Sequence, residues 1–476
     1  MEDITMLSME RVSKMIEYRE ISPVDLVEAC IARTEKLQPE LNAYVYFMAD
    51  EAREAAKAAE KEIDKGHYKG KLHGIPIALK DLYYTRGIPT TASSNVLRDF
   101  RPEYNGTVVQ RLIDAGAIIM GKTNTHEFAF GPSTEESCFG PTHNPWNPKK
   151  IPGGSSGGSA VAAATGMAYV AMGTDTGGSI RIPSHMSGTV GFKPSYGLVS
   201  LYGVIPMCTA TDHPGPLCRS VADAAITVDA ITGTDPLDPC QEPIMGESTH
   251  FYKKLREKTD LKGKVIGVPT NFFLEKTDFE VERVFKEGVG RFKALGAEIK
   301  YIEVPLLELL DDTGDCIVFS GTAFTHKDMF HKYRDKYQEG VVKRLEAGGK
   351  YTAVQYIQAL KDRERLKQSW ENVMKDLDAV VVPTCPIEAY DIGLPDPWLV
   401  QSRGKTEYGK QMCSRHTRLS SLTGSPALSL PIGLTKNNLP VGLMVMGRRN
   451  DDLGVLSVGA AYEKHYDYPR LKYGTV

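Results

Sequence analysis

The sequence has no long apolar run and no surplus of charge of either sign. Its 476 residues carry 57 Lys and Arg against 60 Asp and Glu, which gives a formal net charge of -3. No stretch reaches the ~18 apolar residues that a membrane-spanning helix needs, and the first residues contain no apolar segment typical of a signal peptide. Nucleic-acid binding usually requires a basic surface. We therefore expect a cytoplasmic protein that binds neither a membrane nor nucleic acid.

Cysteine and histidine are present but are not grouped as metal sites require. The eight cysteines are scattered, and no two of them form a CxxC motif. The two nearest histidines, His326 and His331, are five residues apart, a spacing that places them on different faces of a helix. We therefore expect no bound metal, no cofactor and no disulfide scaffold.

Short apolar runs alternate with helical patterns along the chain. Apolar runs at 75–79, 117–120 and 379–382 are typical of buried strands, whereas 106–116, 281–296 and 452–465 have helical spacing. A helix start is indicated at Ser22-Pro23-Val24-Asp25, which offers a cap, a proline and an acid in the first turn. The alternation predicts an α/β protein with one large sheet covered by helices on both faces. We expect residues 1–476 to form one domain, with a helical insert at about 307–377.

The segment Gly116 to Thr123 matches GxxxxGK[ST], the phosphate-binding loop of nucleoside-triphosphatases. Such a loop follows a strand and opens a helix, whereas here a helical pattern precedes Gly116 and an apolar run follows it. We therefore interpret Gly116 as the residue that ends a helix before a core strand. A nucleoside-triphosphatase remains the alternative from a different functional class.

Glycine and serine are concentrated in two neighbouring segments, PGGSSGGS at 152–159 and GTDTGGSIR at 173–181. The first leads directly into an apolar, alanine-rich helical pattern, which a flexible linker would not do. Glycine permits backbone conformations that direct several N–H groups at one point, and such a group of donors binds an oxyanion. Ser155, Ser156 and Ser179 are therefore candidate nucleophiles, each of which needs a base.

Two residues are candidates for that base. Lys80 ends the apolar run, where burial lowers the pKa of an amine, but it could equally form an ion pair with Asp81. His185 lies six residues beyond Ser179, without a G-x-S-x-G motif or another histidine-based motif around it. The residues alone leave these alternatives open.

The spacing and the flanking motifs together resemble the amidase signature family. Lys80, Ser155 and Ser179 are separated by 75 and 24 residues and fall on the family's Ser-cisSer-Lys positions, within GIPIALKD, PGGSSGGSA and GTDTGGSIRIPS. Similar segments at 128–147, 191–206 and toward the C-terminus extend the match over nearly the whole chain. The resemblance implies one large mixed β-sheet covered by helices on both faces. It also implies hydrolysis of a small-molecule amide, or of an ester, anilide or carbamate, through a serine acyl-enzyme.

The resemblance also implies a role for each residue of the site. Ser179 would be the nucleophile, Ser155 would follow a cis peptide bond and relay the proton, and neutral Lys80 would be the base. The oxyanion hole would consist of the backbone N–H groups of Thr176, Gly177, Gly178 and Ser179.

Neighbouring residues are expected to support these groups. We predict that Ser156 holds Ser155 or the lysine, that Ser159 caps the following helix, and that Asp175 and Arg181 form a scaffold ion pair. Pocket walls are expected from residues 128–134, from Met207 and from the helical insert. The pocket candidates are Phe128, Phe130, Gly131, Ser133 and Thr134.

The same family contains one subunit of the glutamine-dependent aminoacyl-tRNA amidotransferase, its glutaminase, which is the closest alternative. In that protein the amino group of glutamine is recognised by a carboxylate, and the matching position here is Ser414, which cannot supply the charge. Arg344 is our candidate for the arginine that binds the glutamine carboxylate. The missing acid favours a stand-alone hydrolase. The sequence leaves open whether the chain forms a homodimer.

Overall fold

The apolar runs of the sequence become the central strands of the protein. The computed structural model describes residues 3–241, 249–255, 260–395, 399–468 and 470–471. Strands β2, β3, β4 and β9 are buried along their whole length, as expected for strands covered on both faces. The strands are β1 Tyr44–Phe47, β2 Pro76–Lys80, β3 Ile118–Thr123, β4 Val170–Asp175, β5 Val190–Lys193, β6 His213–Cys218, β7 Val265–Pro269, β8 Glu298–Ile302, β9 Ala379–Pro383, β10 Leu399–Ser402, β11 Lys405–Tyr408, β12 Ala427–Leu434 and β13 Pro440–Met446.

Eleven of these strands form one mixed sheet in the order β1-β3-β2-β4-β6-β5-β12-β13-β9-β7-β8, and β10 pairs with β11 as a separate hairpin. Strand β2 runs parallel to both β3 and β4, and β7 runs parallel to both β8 and β9. The pairs between β4 and β9 along the sheet are antiparallel. The prediction of a large mixed α/β sheet is confirmed.

Fifteen α-helices lie in the described part of the chain. They are α1 Met9–Glu17, α2 Pro23–Leu41, α3 Ala49–Asp64, α4 Thr107–Asp114, α5 Gly157–Thr165, α6 Arg181–Ser187, α7 Val221–Ile231, α8 Phe251–Leu255, α9 Phe279–Ala294, α10 Leu310–Tyr333, α11 Glu339–Gly348, α12 Ala353–Val373, α13 Gly409–Ser414, α14 Arg418–Thr423 and α15 Asp452–His465. Short 3-10 turns occur at Ile4–Met6, Asn95–Leu97, Glu127–Ala129, Leu307–Leu309, Arg334–Lys336 and Met374–Asp376.

Side chains along β12 alternate between the two faces of the sheet, and their contacts show which helices cover each face. Leu428 and Leu430 belong to the main core and face Gly459 of α15. The intervening Ser429 faces the opposite way, where its Oγ lies 2.8 Å from Thr384 Oγ1 and beside the α6 face of the sheet. Because successive side chains of a strand point to opposite faces, α9 and α15 cover one face and α6 covers the other.

Two local predictions from the sequence are confirmed. The Ser22 hydroxyl accepts from the N–H of Asp25 at 3.1 Å, and the Asp25 carboxylate accepts from the N–H of Ser22 at 3.0 Å, which is a capping box at the start of α2. Gly116 follows Ala115, the C-cap residue of α4, with a φ of +85° and leads into β3. The order helix, glycine, strand is the reverse of a phosphate-binding loop.

The segment between β8 and β9 is helical and packs on the α6 side of the sheet. Its helices α10 to α12 bury a second core against β9 and β13, which includes Trp370, Leu366 and Met444. Trp370 is 1% exposed, and its indole N–H donates to the carbonyl of Gly447 at 3.0 Å. The insert is therefore attached directly to the sheet. Within the described ranges, no helix has the length and apolar character needed to cross a membrane.

Candidate active site

The site lies where two neighbouring parallel strands end. In the register of β2 and β4, Leu79 is opposite Met172, so the carboxyl ends of both strands lie at the same edge of the sheet. Lys80 is the last residue of β2, and the turn that carries Ser179 begins directly after β4. Lys80 and Ser179 are 99 positions apart in the sequence, the sum of the spacings of 75 and 24 residues. Parallel pairing of β2 and β4 brings them together.

The Lys80 amine is fully buried between two hydroxyl groups. Its Nζ lies 2.8 Å from Ser155 Oγ and 2.8 Å from Thr174 Oγ1, and its side chain has no exposed surface. Burial lowers the pKa of Lys80 to about 7, although the charges of Asp175 and Asp212 oppose this shift. The amine is therefore neutral over much of the physiological pH range and can accept a proton.

Ser155 is held by hydrogen bonds to its backbone. The peptide bond between Gly154 and Ser155 is cis, as the resemblance implies. The Ser155 carbonyl accepts from Thr125 Oγ1 at 2.9 Å, from the His126 N–H at 3.1 Å and from Thr134 Oγ1 at 3.2 Å. These three donors fix the peptide plane between Ser155 and Ser156, and the Ser155 hydroxyl is directed at Lys80.

The two other serines of this loop support the strand behind it. Ser156, at the N-cap of α5, donates from its hydroxyl to the carbonyl of Thr174 at 3.2 Å and accepts from the Thr174 N–H at 3.3 Å. It therefore holds the partner of the lysine and not the lysine itself. The prediction that Ser159 caps the helix was wrong, because its hydroxyl lies inside the first turn of α5 and donates to the Met172 carbonyl at 3.0 Å.

Ser179 lies in a tight turn between β4 and α6. The Asp175 carboxylate organises this turn, because it accepts from the N–H of Gly178 at 2.8 Å and of Ile180 at 3.2 Å. The Ser179 carbonyl accepts from the Ser156 N–H at 3.2 Å, which joins the two serine segments. Ser179 is 8% exposed and faces a cavity.

One predicted oxyanion donor is already occupied. The N–H of Gly178 donates to Asp175, so in this structure it is not free to bind an oxyanion. The N–H groups of Thr176, Gly177 and Ser179 make no hydrogen bond within the described part of the chain, and all three residues line the cavity. Three of the four predicted donors are therefore left at the cavity.

Asp175 and Arg181 form the predicted ion pair. Arg181 Nε and Nη2 donate to the two carboxylate oxygens at 2.9 and 2.8 Å, and neither side chain is exposed. Burial favours a higher pKa for Asp175, but the Arg181 guanidinium outweighs it and holds the pKa well below its usual range. Arg181 also donates to the carbonyl of Thr417 at 3.0 Å and to Ser421 Oγ at 2.8 Å, so it ties the turn to α14.

A cavity of about 650 Å³ opens in front of Ser179. Its walls come from the loop after β3, from the turn after β4, from α10 of the insert and from α14. The lining residues are Ala129, Phe130, Gly131, Pro132, Thr176, Gly177, Ser179, Ile182, Met207, Gly314, Asp315, Val318, Phe319, Ser414, Arg418, Ser421 and Leu422.

Some of the predicted pocket residues line the cavity and others do not. Phe130 and Gly131 line the cavity, whereas Phe128 turns away and stacks against Tyr337 with a ring-centroid distance of 5.3 Å. Ser133 and Thr134 also lie behind the wall. The N–H of Thr134 donates to His126 Nδ1 at 3.2 Å, and Ser133 Oγ lies 3.5 Å from the same nitrogen.

The far wall of the cavity carries a salt bridge. Arg418 Nη2 donates to Asp315 Oδ1 at 2.8 Å, and Arg418 Nε donates to Ser414 Oγ at 3.3 Å. Ser414 thus lines the cavity at the position where the resemblance would require an acid. Arg344 is not among the lining residues, because its guanidinium contacts Glu136 and lies 3.0 Å from His126 Nε2.

The other sequence candidates have structural partners elsewhere. His185 Nδ1 accepts from the Gly442 N–H at 2.9 Å on the buried side of α6, and burial lowers its pKa to about 4. Lys122, from the phosphate-loop motif, is fully buried and donates to the carbonyl of Tyr83 and to Thr90 Oγ1. In the described ranges, no three His, Cys, Asp or Glu side chains are grouped as a metal site.

Sequence reasoning missed two residues at the heart of the site. Thr174 is the second partner of Lys80, and Asp212 binds the hydroxyl of Thr176 at 2.5 Å. Thr174 lies within the GTDTGGSIR segment, but nothing in that motif marks its side chain as a partner of the lysine, and Asp212, 33 residues after Ser179, lies in no motif. Only the strand register brings them to the lysine and the turn.

Comparison with known proteins agrees with this geometry. The Amidase family model matches residues 25–456. The chain is 36% identical to the A subunit of glutamyl-tRNA(Gln) amidotransferase from Caldanaerobacter subterraneus subsp. tengcongensis, over 97% of each chain, and 37% identical to an amidase of Pseudomonas putida, over 99% of each. A solved structure described as a vestigial protein complex that reveals the origins of an s-triazine catabolic enzyme superposes with a TM-score of 0.92 at 26% identity. It covers 98% of this chain and 100% of its own.

The mixed sheet, the cis peptide bond and the buried lysine together define a protein of the amidase type. The chain belongs to the amidase signature family, whose enzymes act on C–N bonds.

The buried ion pair gives the first prediction. Arg181→Met leaves the Asp175 carboxylate buried without its cation, so we expect the free energy of unfolding to fall by about 3–5 kcal/mol. Chemical denaturation measures this loss. Lys57→Met, which removes an exposed partner of Glu54, is the matched control and should cost at most about 1 kcal/mol. Equal losses for the two variants would contradict the assignment of Asp175 and Arg181 as the scaffold of the turn.

Proposed function

We propose that this protein is an amide hydrolase that forms an acyl-enzyme on Ser179. The observation that carries the proposal is the contact of 2.8 Å between the desolvated Lys80 amine and the Ser155 hydroxyl, next to a serine that faces a cavity. A neutral amine so placed is a general base, and a hydroxyl between base and nucleophile can relay a proton.

In the first step Ser179 Oγ attacks the carbonyl carbon of the amide. A C–O bond forms, and the electron pair of the carbonyl double bond moves onto oxygen. The Ser179 proton passes to Ser155, whose own proton passes to Lys80. In this proposal the free N–H groups of Thr176, Gly177 and Ser179 stabilise the resulting oxyanion, a contribution of roughly 2.7–4 kcal/mol for each donor.

In the second step the tetrahedral intermediate collapses. The C–N bond breaks, and the leaving nitrogen takes the proton that Lys80 returns through Ser155. Water then attacks the acyl-enzyme with the same relay, and the carboxylic acid leaves as Ser179 recovers its proton. An ester, anilide or carbamate follows the same sequence with a different leaving group.

The cavity suggests which acyl groups fit. Most of its wall is apolar, with Phe130, Phe319 and Ile182 among the lining side chains. The charged groups Asp315 and Arg418 on the far wall neutralise one another at 2.8 Å. This pattern favours a small-molecule amide with an apolar acyl or aryl group.

Ser179→Ala should abolish turnover and covalent labelling. Without this hydroxyl no acyl-enzyme forms, so a fluorophosphonate should label the wild-type chain and leave the variant unlabelled, as measured by intact mass. Ser414→Ala removes another hydroxyl that lines the same cavity and should still be labelled. Stoichiometric labelling of Ser179→Ala would show that a different residue is the nucleophile.

Lys80 should control the dependence of the rate on pH. Only the neutral amine accepts a proton, so kcat/KM should rise with unit slope to a midpoint near the pKa of Lys80, about 7, and be constant above it. Lys80→Ala should lose that slope and at least about a hundredfold in rate. Rates measured between pH 5 and 9, the range needed to bracket a midpoint of about 7, give both quantities.

Another buried lysine provides the control. Lys122 lies on β3, and burial lowers its pKa to about 8, but its amine faces the Tyr83 carbonyl, Thr90 Oγ1 and, at 3.7 Å, the Asp81 carboxylate, away from the cavity. Lys122→Met should keep the wild-type midpoint. A slope that survives in Lys80→Ala would show that a group other than Lys80 is the base.

A glutaminase role within an aminoacyl-tRNA amidotransferase is the second candidate. It is favoured by the similarity over 97% of the chain to the amidotransferase relative. Against it, Ser414 carries no charge, and the Asp315 carboxylate of the cavity wall is already paired with Arg418. This candidate requires a partner protein that receives ammonia, whereas a hydrolase is active alone.

A substrate screen with the isolated chain separates the two candidates. We expect an aryl or aliphatic amide to be hydrolysed with a kcat/KM at least about tenfold above that of glutamine, because the binding of glutamine needs two uncompensated charged partners. Product release from short aliphatic amides, aryl amides, carbamates and glutamine should be measured, with Ser179→Ala as the blank. A preference for glutamine, especially one that requires a partner protein, would favour the amidotransferase.

A further inference from the structure

A second carboxylate, that of Asp212, is buried beside the site. Asp212 precedes β6 and is 5% exposed. Its Oδ1 accepts from Thr176 Oγ1 at 2.5 Å, and its Oδ2 accepts from the N–H groups of Met207 and Cys208 at 2.9 and 3.0 Å. Because Thr176 and Met207 both line the cavity, one side chain joins the turn of the nucleophile to the opposite wall.

The charge of Asp212 is not neutralised by an ion pair. In the described part of the chain, no Lys or Arg nitrogen lies within 4.0 Å of its carboxylate, and all its hydrogen-bond donors are neutral. The nearby Asp175, in contrast, makes two hydrogen bonds with Arg181. A buried carboxylate without a counter-ion costs free energy, so its retention calls for a cation at some stage of the reaction.

The proposed mechanism creates such a cation. When Lys80 accepts the proton from Ser155, an ammonium group forms where the side chain has no contact with solvent. Its two hydrogen-bond partners, Ser155 and Thr174, are neutral hydroxyls. Thr174, which contacts Lys80, and Thr176, which donates to Asp212, are two positions apart at the end of β4, so Lys80 and Asp212 lie beside the same strand end. The charges of Asp175 and Asp212 both favour the ammonium form of Lys80, and Arg181 already pairs with the first.

We propose that Asp212 is a positioning residue that serves as the electrostatic counter-ion of protonated Lys80 and anchors Thr176 against the cavity wall. This inference rests on the proposed function, since it assumes that Lys80 is the base. The carboxylate itself transfers no proton and touches no substrate. It lowers the free energy of the state in which Lys80 holds the proton, at the moment when the oxyanion forms on the other side of Ser179.

The surroundings of Asp212 leave Lys80 as the group through which it affects the rate. The titratable groups whose pKa depends on the charge of Asp212 include Lys80, Tyr196, Cys208 and Cys240. Burial raises the pKa of the Tyr196 hydroxyl and of both thiols, so these three groups stay neutral when Lys80 titrates. Burial also raises the pKa of Asp212, while its three donors and Lys80 act in the opposite direction.

Asp212→Asn tests the charge without loss of the hydrogen bonds. The amide oxygen can accept from the Met207 and Cys208 N–H groups, and the amide NH2 can donate to Thr176 Oγ1. Without the negative charge the ammonium form of Lys80 is less stable. We therefore expect the midpoint of kcat/KM to move down by roughly one pH unit, the scale of one charge at an effective dielectric constant near 20. The value of kcat/KM at the high-pH plateau should fall by about tenfold, because the state in which Lys80 holds the proton is less stable.

Thr176→Val is the matched control, since it removes the hydrogen bond to Asp212 and keeps the charge. It should change the height of the plateau and leave the midpoint at the wild-type pH. Thermal unfolding of both variants reports separately on stability. A midpoint in Asp212→Asn equal to that of wild type would overturn the counter-ion role and leave Asp212 as a structural anchor. A midpoint that does not depend on Lys80 at all would instead refute the proposed function.

Discussion

The site depends on the ion pair between Asp175 and Arg181. The Asp175 carboxylate receives two backbone N–H groups of the turn around Ser179, and Arg181 connects that carboxylate to α14. Arg181 also contacts Met444 of β13, so the turn is fixed from the sheet below and from the helix beside it. The pair is buried on all sides, and it therefore contributes to the geometry of the turn more than to net stability.

Asp175 and Lys80 are both buried, but their charge states differ. Arg181 keeps Asp175 ionised, whereas desolvation keeps Lys80 largely neutral at pH values where an exposed lysine would be charged. A base and a carboxylate thus coexist near one turn without forming a salt bridge. Had Lys80 paired with Asp175, its amine would be charged and unable to accept a proton.

Much of the fold and the central residues of the site could be predicted from the sequence. Buried parallel strands such as β2 and β3 require continuous apolar runs, and the resemblance to the amidase signature family identified the lysine and the two serines by their spacings and flanking motifs. Strand β6 was not predicted, because its Pro214 and Pro216 are unfavourable in strands. Phe128 was misplaced as a wall residue, because its φ of 50° and that of Ala129, 60°, turn the backbone in a way that these residue types do not indicate.

The walls of the cavity and the groups that carry the chemistry come from different parts of the chain. Lys80, Ser155 and Ser179 lie at the edge of the sheet, whereas Gly314, Asp315, Val318 and Phe319 lie on one face of α10 in the insert. Replacements on that face alter the shape and charge of the cavity and leave the sheet edge as it is. Descendants of one ancestral chain can therefore diverge in the compounds they accept while they inherit the same catalytic residues. A new substrate specificity then requires no new reactive centre.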